Sequence, residues 1–162
     1  MTASTQPGVL HVAVGVIRNV ADEILIAKRN TRQHQGGKWE FPGGKVESGE
    51  SVSTALAREL HEELGIVVKH DQPLCQIHHQ YPDRHVFLDV REVTDFTGTP
   101  KGLEGQPLQW LPASDMDPAI FPTANQAIVR AVRLPRQVAI INDSNDSGLP
   151  WSSILSDYAA LP

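Results

Sequence analysis

Carboxylate side chains are concentrated in the segment RELHEELGI, residues 58–66, where Glu59, Glu62 and Glu63 follow Arg58. An α-helix turns by about 100° per residue, so these three glutamates would share about 100° of one helix face. Such neighbours repel one another and weaken an isolated helix, whereas Mg²⁺ prefers carboxylate, carbonyl and phosphate oxygens as ligands. Glutamate-rich helices are also common as solvated surfaces. The segment alone is therefore compatible with a divalent-cation site and with an ordinary exposed helix face.

Gly44 and Glu50, which precede this segment, stand at a spacing that favours the cation site. Together with the segment they complete the pattern G-x5-E-x7-R-E-U-x-E-E-x-G-U, in which U is an apolar residue. Its seven fixed residue types match by chance at about one in 10⁹ start positions, with about 5% usage for each type. Gly43 and Gly44 also let the backbone turn close to a cation and expose carbonyl oxygens to it. The pattern resembles the signature of the Nudix hydrolase family.

The elements that must position this segment alternate between strands and helices. Ser51 is a favourable N-cap and Gly65 suits the left-handed residue that ends a helix, so we predict a helix from about 51 to 64. Apolar runs predict strands before and after it and a second helix later in the chain. The predicted strands cover 10–17, 23–29, 74–81, 85–93 and 106–114, and the second helix covers about 124–134. This order favours an α+β or α/β sandwich.

Length and composition favour one soluble globular domain over a disordered or membrane protein. The 162 residues include 40% hydrophobic and 20% charged residues, and the net charge is −5. No apolar run approaches the length of a membrane span, and the N-terminus lacks the features of a secretory signal. A single cysteine, Cys75, excludes an internal disulfide and fits the reducing cytoplasm, where we place the protein. The acidic balance disfavours a stable nucleic-acid complex but allows a small anionic ligand that binds through cations.

The resemblance to Nudix hydrolases extends over about residues 9–134 and points to the members that remove oxidised guanine nucleotides from the nucleotide pool. It is carried by VGVIRN, KRN, KWEFPGGKVE, YPDRH, KGLEGQP and FPTAN. The resemblance implies the Nudix fold, an α/β/α sandwich of the α+β class around a mixed central sheet. It also implies Mg²⁺-dependent hydrolysis of 8-oxo-dGTP, and more weakly of dGTP, to the nucleoside monophosphate and pyrophosphate, with Mn²⁺ able to replace Mg²⁺. This activity would prevent mutation during DNA replication.

The resemblance also assigns roles to residues that would otherwise rate as ordinary surface side chains. It implies Glu59 as the base that activates water, and Arg58 and Glu104 complete the catalytic set. The implied metal ligands are the Gly43 carbonyl, Glu59, Glu62, Glu63 and Glu104. The implied substrate-binding residues are Arg29, His34, Glu40, Phe41, Pro42, Gly43, Arg84 and Asn125. Asn125 matches the asparagine that reads the oxidised base edge, although without the resemblance it is equally well explained as a cap of the second helix.

The signature indicates only that a diphosphate and a cation are bound, so it leaves other functions open. One alternative is a Nudix hydrolase of another nucleoside diphosphate derivative, such as ADP-ribose, a dinucleotide polyphosphate or a different dNTP. Another is a non-catalytic nucleotide sensor, although such domains typically lose signature carboxylates and none is missing here. We expect a monomer whose partner is a small-molecule nucleotide, with no membrane partner.

Residues 135–162 form a C-terminal extension after the predicted Nudix domain of residues 1–134. The sequence LPRQVAIINDS faintly resembles the first strand of a thiamine-phosphate-synthase-like domain that is fused to longer relatives. A complete (β/α)₈ barrel needs about 200 residues or more, so the extension is far too short to form one. We therefore interpret it as a remnant or a packing extension without chemistry of its own.

Overall fold

The computed structural model describes residues 8–32 and 35–134, which form strands, two α-helices and two short 3₁₀ helices. The strands are β1 (Leu10–Ile17), β2 (Ile24–Lys28), β3 (Trp39–Glu40), β4 (Gly43–Lys45), β5 (Val67–Gln80), β6 (His85–Thr97) and β7 (Leu108–Leu111). The α-helices are α1 (Val52–Leu64) and α2 (Thr123–Val132), and the 3₁₀ helices are Ala113–Asp115 and Pro118–Ile120. Within the described ranges, no helix has the length and apolar character needed to cross a membrane. The predicted extension, residues 135–162, lies outside the described residues.

A mixed sheet at the centre of the molecule has the strand order β4-β1-β6-β5. β1 and β6 are parallel, while β4 pairs with β1 and β5 pairs with β6 in the antiparallel direction. A second, antiparallel sheet has the order β3-β2-β7. Successive side chains of a strand point to opposite faces, and in β1 Val14 and Val16 belong to one buried cluster whereas Ala13 and Ile17 belong to another. Both faces of the mixed sheet are therefore covered.

The two α-helices cover opposite faces of the mixed sheet. α1 contributes Leu60 to the buried cluster that contains Ala13. α2 contributes Ile128 and Val129 to the cluster that contains Val14. Burying a leucine or isoleucine side chain stabilises a fold by about 1.5–3 kcal/mol, so each helix is anchored by its apolar face. The predicted α/β/α arrangement around a mixed sheet is confirmed.

Helix α1 begins and ends where the sequence predicts. The Ser51 side chain accepts a hydrogen bond from the Thr54 N–H at 3.1 Å. Gly65 has a φ of 70° and donates its N–H to the His61 carbonyl at 3.0 Å. An N-cap of this kind stabilises a helix by about 0.5–2 kcal/mol. With both ends fixed, the position of each residue along the helix is fixed as well.

The hairpin of β5 and β6 is longer than the sequence predicts. β5 begins at Val67 and β6 ends at Thr97, whereas the apolar pattern predicts limits at 74 and 93. The first half of β5 is largely polar and exposed, and its pairing shifts register near His70 and after Pro73. A bulged edge strand lacks the regular alternation on which strand prediction depends. The turn of this hairpin, after Gln80, brings two further side chains to the candidate site described below.

Candidate active site

Glu59 and Glu63 lie against the backbone of two consecutive glycines. A Cβ atom on Gly44 would lie 2.1 Å from the carboxyl carbon of Glu59, so a larger residue here would displace the carboxylate from this position. The Gly43 N–H donates to Glu63 Oε2 at 3.4 Å, and Gly43 has a φ of 148°, which favours glycine. Glu62 differs from both, because its side chain is 59% exposed and its carboxylate lies 3.7 Å from Arg58. The structure therefore separates Glu62 from the two glutamates that face β4.

Arg58 connects α1 to the preceding loop through hydrogen bonds. Its Nε and Nη2 atoms donate to the two carboxylate oxygens of Glu50, each at 2.9 Å, and its Nη1 atom donates to Glu59 Oε1 at 2.7 Å. Nη2 also donates to the Lys45 carbonyl at 3.1 Å. A guanidinium is planar and always charged, so this set of bonds restricts the orientation of the Glu59 carboxylate. Arg58 also contacts Glu62, four residues later on the helix, and at 3.7 Å this is the longest of its contacts with carboxylates.

Glu63 lies among other negative charges. Burial, reinforced by the charges of Glu40, Glu104 and Glu59, raises the pKa of Glu63 to about 8 despite the hydrogen bond from Gly43. We refer to Glu40, Glu59, Glu63 and Glu104 as the carboxylate cluster. Carboxylates that raise one another's pKa favour either a proton or a cation between them.

The donor chemistry of the carboxylate cluster fits a divalent metal ion. All its side chains offer oxygen ligands, and the Gly43 carbonyl adds another, which suits a hard cation. In the described parts of the chain, no three His, Cys, Asp or Glu side chains already converge on one ion position. Instead, Glu59 contacts Arg58 and Glu63 contacts the Gly43 N–H. Metal binding would therefore require Glu63 to turn from the Gly43 N–H, whereas Glu59 can keep its bond to Arg58 through Oε1.

An apolar cavity of about 160 Å³, which we call the first cavity, is lined by β1, β6 and the start of α2. Its aromatic lining is supplied by Phe41 and Tyr81, and its polar lining by Arg29, Glu40, Arg84 and Asn125. Asn125 Oδ1 accepts a long hydrogen bond from the Phe41 N–H at 3.5 Å. Apolar walls with a few polar groups are typical of sites for flat heteroaromatic ligands.

A second cavity, of about 330 Å³, adjoins the first one and reaches the carboxylate cluster. Arg29 and Glu40 line both cavities, and Glu63 and Glu104 line the second. Arg29 Nη1 donates to Glu40 Oε2 at this junction. Burial raises the pKa of Glu40, and the nearby Arg29 opposes that shift. An elongated ligand can thus place an aromatic ring in the first cavity and an anionic group beside the carboxylates and Arg29.

The NUDIX domain profile matches residues 13–131 of this chain. The chain belongs to the Nudix family. The 8-oxo-dGTP diphosphatase of Escherichia coli strain K12 is 40% identical over 124 residues, which cover 76% of this chain and 96% of that protein. A CTP pyrophosphohydrolase of the same strain is 42% identical over 88 residues, which cover 54% of this chain and 65% of that protein. A solved structure from work on MutT of Aliivibrio salmonicida and Vibrio cholerae has a TM-score of 0.66 and 41% identity, covering 77% of this chain and 97% of that one.

The Nudix residues predicted from the sequence fall into three groups in the structure. Arg29, Glu40, Phe41, Gly43, Arg84 and Asn125 line the first cavity, and Arg29, Glu40, Pro42, Glu63 and Glu104 line the second. Glu59 and Glu62 line neither cavity, since Glu59 lies over Gly44 and Glu62 points toward solvent. Arg84 also pairs with Asp83 at 2.8 Å. His34 lies outside the described residues. Nudix hydrolases generally need a divalent metal ion, which agrees with the donor chemistry of the cluster.

For three residues of this Nudix site the sequence predicted no role. Glu50 belongs to the signature, and its fixed distance from Arg58 was the signal that could have predicted their pairing. Tyr81 lines the first cavity, and its hydroxyl oxygen accepts a hydrogen bond from the Ala124 N–H at 3.2 Å. Gln106 lines the second cavity beside Glu63 and Glu104. No local pattern distinguishes Tyr81 or Gln106, because their neighbours at the site are remote in sequence.

Proposed function

We propose that this protein hydrolyses 8-oxo-dGTP, and dGTP more weakly, to the nucleoside monophosphate and pyrophosphate. The observation that carries the proposal is the junction at Arg29 and Glu40, where an apolar cavity with an amide meets the carboxylate cluster. A nucleoside triphosphate has matching groups in the same order: an apolar purine ring with a polar edge, followed by an anionic triphosphate chain that binds metal ions. The likeness to the 8-oxo-dGTP diphosphatase of Escherichia coli, over 96% of that protein, supports the choice of substrate.

The first cavity would receive the base. Phe41 is 3% exposed and stacks on Phe121 at 5.4 Å between ring centroids, so its position at the cavity wall is rigid. Asn125 offers two N–H donors and an oxygen with two lone pairs, one of which faces the Phe41 N–H. The amide can therefore donate to O6 of an oxidised guanine and accept from its protonated N7. An ordinary guanine has no proton on N7, so the second bond would favour the oxidised base. Arg84, Pro42 and Gly43 complete the proposed substrate site, together with His34.

The second cavity would receive the phosphates. Arg29 is the cation at the junction, where it can contact a phosphate or the sugar. We assign the metal to Mg²⁺, with Mn²⁺ able to replace it, and its ligands to the Gly43 carbonyl, Glu59, Glu62, Glu63 and Glu104. When bound, such an ion neutralises phosphate charge and makes a coordinated water more acidic. Glu62 would have to turn inward from its exposed position to take part.

In the proposed reaction, water attacks the β-phosphorus in line with its bond to the oxygen that bridges to the α-phosphate. That bond breaks, the nucleoside monophosphate leaves, and the oxygen of the water becomes part of pyrophosphate. Glu59 accepts the proton from this water through Oε2, because Oε1 is the oxygen that accepts the hydrogen bond from Arg58. Arg58 thereby keeps the carboxylate in one orientation, and Glu50 keeps Arg58 in place through two bonds. Glu104 would approach the phosphates from the loop that precedes β7.

A panel of nucleotides with Mg²⁺ tests the function: 8-oxo-dGTP, dGTP, CTP and ADP-ribose, with kcat/KM and the products measured for each. We expect the highest kcat/KM for 8-oxo-dGTP, with 8-oxo-dGMP and pyrophosphate as products. Equal values for dGTP and 8-oxo-dGTP would refute the base preference but leave a hydrolase. Binding without turnover of any nucleotide would instead identify a sensor.

We also propose that the protein acts as a cytoplasmic monomer that cleans the nucleotide pool and so prevents mutation during DNA replication. The single cysteine and the net charge of −5 support this setting, because the charge disfavours binding to long polyanions. A light-scattering mass near 17.8 kDa would support the monomer. A mass of twice that value would contradict it.

A further inference from the structure

The side chain of Gln106 joins two acidic residues that belong to different parts of the chain. Its Nε2 atom donates to the Glu63 carbonyl at 3.2 Å, across 43 positions in sequence. Its Oε1 atom accepts from the Glu104 N–H at 2.9 Å. A single amide group thus satisfies a carbonyl near the end of α1 and an N–H of the loop before β7. Both main-chain groups belong to residues of the carboxylate cluster.

The loop that carries Glu104 is packed closely around Gln106. A Cβ atom on Gly102 would lie 2.0 Å from the Gln106 carbonyl oxygen and 3.1 Å from its Oε1, so only glycine permits this contact. Gly105 donates its N–H to the Gly102 carbonyl at 3.0 Å, which closes a turn around Glu104. The Leu103 N–H donates to the Glu63 carbonyl at 2.9 Å, beside the amide of Gln106. The geometry of the turn therefore depends on the end of α1.

Electrostatics oppose the arrangement that these hydrogen bonds maintain. Glu63 and Glu104 both line the second cavity, so their carboxylates face the same space and repel each other when both are charged. Glu104 itself is exposed on a loop. A loop with an unfavourable charge moves away unless other contacts retain it. The amide of Gln106 is neutral, so it can bond to both main chains without adding to the repulsion.

We propose that Gln106 is a positioning residue that holds Glu104 at the distance from Glu63 needed for both to share one divalent cation. Gln106 acts on the arrangement of the two glutamates, since it hydrogen-bonds to the main-chain groups of both residues. Its kinetic consequence rests on the function proposed above. Its consequence for metal binding does not depend on which nucleotide is hydrolysed.

Three substitutions in the full chain test the role. Gln106→Met keeps the shape and removes both bonds, Gln106→Glu keeps only the acceptor, and Gln109→Met is the matched control on an exposed position of β7. Mn²⁺ affinity, measured from free Mn²⁺ by electron paramagnetic resonance, should fall about 10–100-fold for Gln106→Met, the usual cost of losing a contact that orients a ligand. Gln106→Glu should lose at least as much, because it lacks the donor to Glu63. Gln109→Met should bind Mn²⁺ like the parent.

A double-substitution cycle separates positioning from a general structural role. In a Glu104→Gln background, Gln106→Met should change Mn²⁺ affinity less than about twofold, because the ligand that it positions is already lost. With 8-oxo-dGTP at saturating Mn²⁺, Gln106→Met alone should lower kcat and leave KM within about threefold. Parent-like Mn²⁺ affinity in Gln106→Met, or equal losses in both backgrounds, would overturn the proposal. If the parent hydrolyses no 8-oxo-dGTP, the function fails, while the Mn²⁺ cycle still decides the role of Gln106.

Discussion

The carboxylate cluster and the first cavity are built in different ways. Glu59 and Glu63 come from one helix, and Arg58 reaches Glu59 and Glu50 at separations of 1 and 8 residues. The contact between Phe41 and Asn125 in the first cavity spans 84 residues. The glutamates of α1 proposed for phosphate chemistry are thus placed by local spacing, whereas the groups proposed for base recognition are placed by the packing of remote elements. Substitutions should therefore affect chemistry and base preference separately.

The largest effect is expected from Glu59→Gln, which removes the proposed base and keeps the shape of the side chain. Loss of a general base typically lowers kcat by about 10²–10⁴-fold. Because the cluster acts on the phosphates, we expect the same factor for 8-oxo-dGTP and dGTP. Initial rates with Mg²⁺ measure kcat, and circular dichroism checks the fold. Glu47→Gln, an exposed position before α1, is the control and should retain parent activity. Turnover near the parent rate in Glu59→Gln would remove this residue from the role.

A smaller effect concerns the stability of the metal-free protein. Glu63 has a folded pKa of about 8, above the ordinary value of 4.5, so the folded state holds a proton that the unfolded state releases between these values. The free energy of unfolding should accordingly fall as the pH rises from 4.5 to about 8, and the loss should be complete above that range. Glu50 has a lowered pKa because of Arg58, so its contribution is lost only when the pH falls below its ordinary value.

Melting temperatures in the presence of a chelator measure this dependence. Glu63→Gln should match the parent at about pH 4.5 and exceed it at about pH 8.5, because the amide never ionises. Excess Mg²⁺ should raise the melting temperature of the parent most at the higher pH, where the carboxylates no longer bind protons. A difference between parent and variant that does not change with pH would show that Glu63 is not shifted in this way.

The sequence predicts much of the helix that carries the cluster and much less of what surrounds it. Ser51 and Gly65 are recognisable caps because capping depends on a few adjacent residues. The exposure of Glu62 was not predictable, since helix periodicity places it beside Glu59 and only the position of β4 distinguishes them. Gln106 illustrates the same limit, because its bonds depend on a loop that meets the end of α1.

The first cavity was predicted only through the family resemblance. Asn125 and Arg29 have no local pattern of their own, and they meet because α2 and β2 pack near the same end of the mixed sheet. Tyr81 was missed since its role depends on the turn between β5 and β6, at the end of a hairpin whose first strand was predicted too short. Residue spacing thus identifies the chemistry of this molecule, while its selectivity depends on tertiary contacts.

The smallest expected effect, and the sharpest test of the contrast, comes from Asn125→Ala. One unsatisfied hydrogen bond in a buried site costs about 1–3 kcal/mol, so the ratio of kcat/KM for 8-oxo-dGTP over dGTP should fall about tenfold. The kcat for dGTP should stay close to the parent value, because Asn125 lines the first cavity and not the second, which Glu63 and Glu104 line. Gln126→Ala, the next position on α2, is the control and should leave the ratio unchanged. If Asn125→Ala lowered kcat equally for both nucleotides, base recognition and chemistry would be coupled, and the two regions would not act independently.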